Sequence, residues 1–267
     1  MKKFTSPFRG LVLSAAGALL AFTTLTATPV AAAGDGPEIK AQKWSFSGPF
    51  GMYERGQLQR GYKVYKEVCS ACHGLRLLHY RNLGEPGGPE FSEEEVKALA
   101  AQVEVQAGPN DEGEMFDRPG KPSDAFVSPF PNKEAARAAN NGAYPPDLSV
   151  MAKARVGGPD YLYALLTGYK DAPSGMTMSE GMNYNAAFAG HQIAMAAPLN
   201  AESVEYTDGI APTVDNYAKD VSAFLMWAAE PKLEERHKVG FRFMIYLVLL
   251  AGLLYLAKRR TWSRLKH

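Results

Sequence analysis

Cysteine is scarce in this sequence: only two occur among 267 residues, at positions 69 and 72. One bridge between them would close too small a loop to stabilise a domain of this size, which excludes a disulfide framework. A structural zinc site needs four ligands, and no second cysteine pair can supply them. Strand signals are also few and no internal repeat is visible, which argues against alternating β–α and repeat architectures. The two thiols therefore serve a chemical purpose.

Charge is distributed unevenly along the chain. Ten of the 29 Lys and Arg residues lie in the first 33 or the last 30 positions, whereas all 28 carboxylates lie in residues 34–237. This central part has 19 cations and a net charge of about −9. Such a charge attracts cationic partners and argues against nucleic-acid binding.

The N-terminal segment, residues 1–33, is typical of an export signal. Three cations precede the apolar run at 11–20, and the segment ends in the small-residue pattern AAA at 31–33. A retained N-terminal anchor is the alternative, but the apolar run is short for a membrane helix. We expect cleavage near Ala33 and export of the domain that follows.

A second apolar segment, residues 243–257 (FMIYLVLLAGLLYLA), carries no charge. With Arg242 reaching the interface, the span approaches the roughly 20 residues of a membrane helix. A buried soluble helix is the alternative, but the basic residues that follow are typical of a cytoplasmic flank. We expect a periplasmic domain at 34–237, a transmembrane anchor helix at 238–258 and a basic cytoplasmic tail at 259–267.

Helical patterns dominate the central part of the chain. Apolar residues between positions 58 and 69 recur at three- and four-residue steps, so the cysteine pair lies at the end of an amphipathic helix. The sequence also predicts an extended arm at 34–50 and a surface loop at 107–131. Further helices are predicted after Ser92 as N-cap, at Lys133–Ala139, at Leu148–Arg155 with Asp147 as cap, at Pro159–Leu166 and at Val214–Ala229 with Thr213 as cap. Pro231 ends the last of these helices, and residues 232–238 are predicted to link it to the apolar segment.

A histidine directly follows the two cysteines, in the stretch VCSACHG. Cys-x-x-Cys-His is the spacing of covalent haem attachment: Cys69 and Cys72 add to the porphyrin vinyl groups, and His73 reaches the iron. A thioredoxin-like dithiol would need alternating strands and helices, which this chain lacks. The motif predicts one haem c, held by two thioethers. The predicted fold class is mainly α: a c-type cytochrome domain with extended loops, plus one C-terminal transmembrane helix.

The second axial position of the iron decides between electron transfer and chemistry at an open site. Met195 is the favoured ligand, because the small residues of AMAAP allow the backbone to approach the ring and thioether ligation favours ferrous iron. His191 is the main rival. On chemical grounds, the remaining candidates for this ligand are Met176, Met178 and Met182.

Several motifs in order along the chain resemble the cytochrome c1 family. They are CSACH at 69–73, YRNL at 80–83, NNGAYPPDLS at 140–149, KAR at 153–155, DY at 160–161, LLTGY at 165–169, AMAAP at 194–198, AKDV at 218–221 and WAAEP at 227–231. The resemblance runs from about Trp44 to the C-terminus. PPDLS, LLTGY and WAAEP in this order before a C-terminal anchor are far more specific than the haem motif alone.

The resemblance implies the haem subunit of the quinol:cytochrome c oxidoreductase (cytochrome bc1) complex in a respiratory or photosynthetic chain. It implies a one-electron relay from the Rieske iron–sulfur protein to a soluble, basic c-type cytochrome, with a cytochrome b subunit as a further partner. The chain would then be an electron-transfer subunit rather than an enzyme on its own, in a bacterial inner membrane. Acidic residues at 93–95 and 111–117 are candidates for docking, although capping of a helix start explains the first group equally well.

By position, the resemblance implies His73 as the proximal ligand and Met195 as the distal one. It also implies that Arg155 pairs with a haem propionate and that Pro146 packs on the histidine side of the ring. A solvated helix end is the alternative for Arg155, and a plain helix stop is the alternative for Pro146. Some members have an extra cysteine pair before the methionine ligand; this chain does not, so we expect packing alone to hold that loop.

Two other functions remain as alternatives. A membrane-anchored c-type cytochrome with an open iron position would act as a peroxidase or a sensor. An anchored structural protein with a disulfide would bind no haem.

Overall fold

The structure, a computed structural model, describes residues 36–263, so the predicted export signal and the last four residues lie outside the described part. The described chain is mainly helical, as predicted. Its helices are α1 (Arg55–Glu67), α2 (Glu93–Ala100), α3 (Lys133–Ala139), α4 (Met151–Ala154), α5 (Pro159–Thr167), α6 (Val214–Ala229) and α7 (Leu233–Trp262). Its strands form two antiparallel pairs, β1 (Glu104–Ala107) with β2 (Phe116–Pro119) and β3 (Asn183–Tyr184) with β4 (Gln192–Ile193).

Helix α1 packs against α6 and forms the centre of the core. The two backbones approach closely at Gly61, where a Cβ atom would lie 2.1 Å from the carbonyl oxygen of Asp220. On the same face of α1, the rings of Tyr62 and Tyr65 each lie 5.8 Å from that of Phe224. These contacts hold the C-terminal end of α1 rigidly, and the cysteine motif follows directly from that end.

Two predicted helix caps and the predicted arm are confirmed by the structure. Ser92 forms a capping box with Glu95 at the start of α2, and the Thr213 side chain accepts a hydrogen bond from the Asn216 amide at the start of α6. The arm before α1 lies on the domain as predicted, because Trp44 donates a 2.6 Å hydrogen bond to the carboxylate of Asp160. Local sequence signals were sufficient at these positions.

Three predicted boundaries were wrong. The segment predicted as a surface loop at 107–131 contains strand β2, which pairs with β1 in an antiparallel hairpin. Both strands are too short to show the alternation of apolar and polar residues that predicts a strand. The helix predicted at Leu148–Arg155 is only α4, because the Asp147 carboxylate caps a turn, accepting from the Ser149 amide, rather than the helix itself. The predicted link at 232–238 is helical, since α7 begins at Leu233 and continues without a break into the apolar segment.

Helix α7 is long and apolar enough to cross a membrane, and nearly all of its large apolar side chains from Val239 onward are exposed. This fits a single-pass anchor. The first turn of α7 is fastened to the start of α1 by an ion pair whose carboxylate is buried and whose guanidinium is partly exposed. Arg55 donates two hydrogen bonds, of 2.8 and 2.9 Å, to the carboxylate of Glu234, which also accepts from the Tyr53 amide at 2.9 Å. Glu234 is 5% exposed, so these contacts satisfy a carboxylate that water barely reaches.

Replacing Glu234 with Gln should destabilise the domain, because the Arg55 guanidinium would lose its charged bidentate partner. We expect the free energy of unfolding to fall by about 2 kcal/mol, the size of charged hydrogen bonds, because Arg55 is 28% exposed and keeps Glu90 as a partner. Denaturant unfolding of the full-length protein in detergent measures this. Lys97→Gln is the control, since it breaks only the exposed pair with Glu93 and should have little effect. Equal losses in the two variants would contradict a special role for Glu234.

The β1–β2 hairpin is held by an ion pair that should make it sensitive to acid. Hydrogen bonds from Arg118 and from the Lys121 amide lower the pKa of Asp124 from its ordinary 3.8 to about 2. A carboxylate with a depressed pKa stabilises the fold above its unfolded pKa, and this contribution is lost as the pH falls from about 4 to about 2. Hydrogen-exchange protection of the hairpin amides should therefore decrease in that window. Asp124→Asn should remove the dependence, whereas Asp117→Asn, next to Arg118 on β2, should keep it; a hairpin equally protected at both pH values would overturn the prediction.

Candidate haem site

The attachment motif lies on a single helical turn at the end of α1. The amides of Cys72 and His73 both donate to the carbonyl of Cys69, at 3.1 and 2.9 Å, and so bring the three side chains of the motif onto one short turn. Both cysteines are half-buried and their sulfurs are not bonded to each other. Burial raises the pKa of the Cys69 thiol to about 12, with the nearby Cys72 adding to the shift. The Cys69 thiol is therefore held in its neutral form, and neither sulfur is in a disulfide that would keep it from forming a thioether.

The orientation of the His73 ring is set by one hydrogen bond. Its Nδ1 lies 2.7 Å from the carbonyl oxygen of Pro146, which can only accept, so Nδ1 carries the proton. The lone pair of Nε2 is then free for a metal. Histidines that ligate metals commonly donate their other ring N–H to a carbonyl or carboxylate in this way. Burial lowers the pKa of His73, although the Pro146 carbonyl opposes this effect. The His73 backbone is held as well, because the Tyr65 hydroxyl donates to its carbonyl at 3.0 Å.

The PPDLS segment is bonded to the residues just after the motif. The Asp147 carboxylate accepts from the Arg76 amide, and the Leu148 amide donates to the Gly74 carbonyl, at 3.0 and 2.9 Å. Gly74 allows this approach, since a Cβ atom there would lie 3.2 Å from an Asp147 carboxylate oxygen. The Pro146 carbonyl is thereby held where His73 can reach it.

Met195 lies two residues after β4 and is half-buried. Its carbonyl accepts hydrogen bonds from the Tyr169 hydroxyl at 3.1 Å and from the Asn183 side-chain amide at 3.4 Å. The expectation that packing alone holds this loop was therefore wrong, because hydrogen bonds from two other segments position it. The role of Met195 as a ligand stays a prediction.

The rival ligands lie around the same hairpin. The His191 ring stacks on Tyr184 at 5.6 Å, and its Nδ1 lies 3.2 Å from the Asn185 carbonyl. His191 also has a φ of 59°, as expected for a residue that closes a turn. These contacts give His191 a structural role in the hairpin. Among the other methionines, Met176 and Met178 are half-buried and Met182 is 41% exposed.

Arg155 and Pro146 were assigned only from the resemblance. Arg155 is exposed at the end of α4, and in the described part of the chain it forms no ion pair; it donates only to the carbonyl of Ala154. Its guanidinium is therefore free to meet an anion. For Pro146 the structure adds a contact that the sequence did not predict, the one made by its carbonyl with His73. The positioning roles of Tyr65, Tyr169 and Asn183 were also missed; only Tyr169 stood within a recognised motif.

The donor set fits a haem. The motif offers two thiols with a single imidazole whose Nε2 is free, and Met195 offers a thioether, which together are the groups that attach and ligate haem c. A metal ion without a porphyrin is a poorer fit. Within residues 36–263, no three His, Cys, Asp or Glu side chains are grouped to hold one.

A sequence profile of the Cytochrome C1 family matches residues 44–265, more than half of the chain. The chain belongs to the cytochrome c1 family. Among its relatives, a protein named cytochrome b/c1 from Bradyrhizobium diazoefficiens is 47% identical over 95% of this chain, but the chain spans only 39% of that protein. A mitochondrial heme protein named cytochrome c1 1, from Arabidopsis thaliana, is 48% identical over 98% of this chain and 84% of its own. Cytochrome c1 of Rhodospirillum rubrum is 45% identical, over 87% of this chain and 90% of its own.

The hydrogen bond from Tyr169 to Met195 in this cytochrome c1 family member can be removed without changing the ring. We expect Tyr169→Phe to lower the free energy of unfolding by about 1 kcal/mol and to speed hydrogen exchange at residues 193–197, because the Met195 carbonyl keeps only the longer bond. Tyr163→Phe is the control, since its hydroxyl bonds Asp215 elsewhere. Unchanged exchange at 193–197 would show that the bond does not hold the loop.

Proposed function

We propose that this chain transfers single electrons from the Rieske iron–sulfur protein to a soluble c-type cytochrome through one haem c. As a member of the cytochrome c1 family, it is a haem electron-transfer subunit of the cytochrome bc1 complex. The relay itself is our proposal. The observation that carries it is the hydrogen bond from His73 to Pro146, which leaves Nε2 in the form that binds iron.

Each site residue has a separate role in this proposal. Cys69 and Cys72 would form the two thioethers, and the iron would be held by His73 through Nε2 and by Met195 through its sulfur. When bound, the haem supplies an iron that changes its charge by one electron. Arg155 is the cation available to a propionate, because the described residues leave its guanidinium without an acidic partner.

The protein's contribution is to keep the two ligands in place in both oxidation states. On one side the Pro146 carbonyl orients His73, and on the other Tyr169 and Asn183 fix the backbone of Met195. Ligands held by such contacts move little when the charge of the metal changes. Ligation by both His73 and Met195 would also keep oxygen and peroxide from a bound iron.

Helix α7 supplies the location. We propose that it crosses a bacterial inner membrane once, with the haem domain in the periplasm and the basic C-terminus in the cytoplasm. The charge distribution supports this orientation, because cations cluster after the apolar segment. The cytochrome b subunit and the Rieske protein would then be neighbours in the complex. The net charge of about −9 in residues 34–237 would attract a basic soluble cytochrome over long distances.

Substituting the proposed distal ligand tests the assignment. Met195→Leu removes the thioether but keeps the side-chain volume, so we expect the reduction potential to fall by on the order of 0.1 V or more. The reduced variant should also bind carbon monoxide at neutral pH, because one axial position opens. Redox titration and absorption spectra of the purified full-length protein measure both effects.

Met178→Leu and His191→Gln are the matched controls for this assignment. Both should keep the original potential and resist carbon monoxide. If Met195→Leu keeps them too and His191→Gln does not, the distal ligand is His191 and the proposal for Met195 is wrong.

A further inference from the structure

We propose that a basic cleft beside Cys72 receives a carboxylate side chain of the protein that accepts the electron. The inference rests on the proposed function, because Cys72 is one of the two points at which the haem is attached. A partner that takes its electron near this attachment point contacts the positive charges of the cleft. The cleft is positive whereas the domain as a whole is negative, and we infer that this local charge selects the partner.

The cleft has a volume of about 220 Å³ and adjoins the attachment motif directly. Its lining includes Cys72 and Arg76, from the segment after α1, and Lys133 and Tyr144, from α3 and the segment after α3. Its remaining wall is mostly the irregular segment 128–132. The cleft therefore brings two cations from distant parts of the chain together next to the motif.

The Tyr144 ring in the lining has two cations close to it: Lys133, which also lines the cleft, and Arg137 of the same helix, which does not. The Lys133 ammonium lies 5.8 Å and the Arg137 guanidinium 5.9 Å from the centre of the Tyr144 ring. Arg137 also donates a 2.8 Å hydrogen bond to the Gly142 carbonyl. Tyr144 is 42% exposed, so its ring presents these charges to solvent rather than burying them.

Nothing in the described lining neutralises the cations by direct pairing. Arg76 and Lys133 are exposed and form no ion pair within residues 36–263. The one carboxylate in the lining belongs to Asp147, and its two oxygens accept from the backbone amides of Arg76 and Ser149. Asp147 is thus committed to holding the backbone.

This local charge is the opposite of the charge of the domain as a whole. A net charge of about −9 steers a basic protein toward the domain, but close contact at the cleft would set a basic side chain against Arg76 and Lys133. Charge complementarity at short range selects between partners that long-range attraction brings together. A carboxylate at the contact point of the acceptor satisfies both requirements.

The first experiment measures the charge of the cleft without electron transfer. The probes are tris(oxalato)chromate(III), an anion, and tris(ethylenediamine)chromium(III), a cation; both broaden nearby nuclear magnetic resonance signals. The sample is the reduced full-length protein in detergent, labelled with fluorotyrosine, and Tyr144→Phe identifies the Tyr144 signal. The anion should broaden this signal several-fold more than the cation does. Arg76→Gln with Lys133→Gln should remove this preference, and Lys238→Gln, which removes an exposed cation on α7, should not. Equal broadening by the two probes would overturn the proposal.

The second experiment measures electron transfer to proteins. Reduced full-length protein is mixed with oxidised soluble c-type cytochromes, one acidic and one basic, and the rates are followed as salt is raised. The double variant should slow oxidation by the acidic cytochrome by about threefold to tenfold at low salt, in the range of electrostatic effects on association. The Lys238→Gln control should not slow it.

If the double variant loses the chromate preference but transfers electrons to both cytochromes as before, the cleft binds small anions only and the proposal is wrong. A protein that holds no haem, or whose haem no cytochrome oxidises, would refute the proposed function instead, and the chromate experiment would still report the charge of the cleft.

Discussion

The hydrogen bond between His73 and the Pro146 carbonyl joins parts of the chain 73 residues apart, and the candidate site depends on it. It decides which nitrogen of the imidazole carries the proton, and therefore which one is free for a metal. The bond is possible only because Asp147 and Leu148 fasten the PPDLS segment to the residues after the motif. A proline has no amide hydrogen to donate, but its carbonyl is an ordinary acceptor. At Pro146 it is this carbonyl that positions the His73 ring.

Helix α1 connects this site to α7, the helix that fits a membrane anchor. Its 13 residues span roughly 20 Å, with Arg55 at one end bonded to Glu234 of α7 and Cys69 just after the other end. Contacts with α6 along its length make it a rigid spacer. In the proposed function, the distance of the haem from the membrane would be set by this one helix rather than by a flexible linker. Helix α7, which continues from its first turn into the apolar segment, extends the same rigid path.

The elements predicted from the sequence are those whose causes are local. Helix α6 begins after Thr213 and α3 spans Lys133–Ala139, both as expected, because capping residues and apolar periodicity are written in adjacent positions. The β1–β2 hairpin was missed because its stability comes from a cross-strand ladder and from the ion pair between Arg118 of β2 and Asp124, which follows the strand. Helix α4 was predicted too long because Asp147 makes its bonds to a turn and to a distant amide. Contacts with distant residues leave no periodic signal in a sequence.

The sequence alone determined the chemistry available to this protein: two thiols and an imidazole at haem spacing, a methionine among small residues, and one apolar segment with a basic flank. Their chemical properties belong to the residue types and need no fold. Only the tertiary structure decided how those groups are held, through the acceptor for His73, the two donors to the Met195 carbonyl and the pairing of Arg55 with Glu234. It also brought Arg76 and Lys133 to one cleft beside Cys72. Hydrogen bonds and electrostatic contacts act over a few ångströms in space, and it is the packing of α1 and its neighbours that brings such distant residues so close.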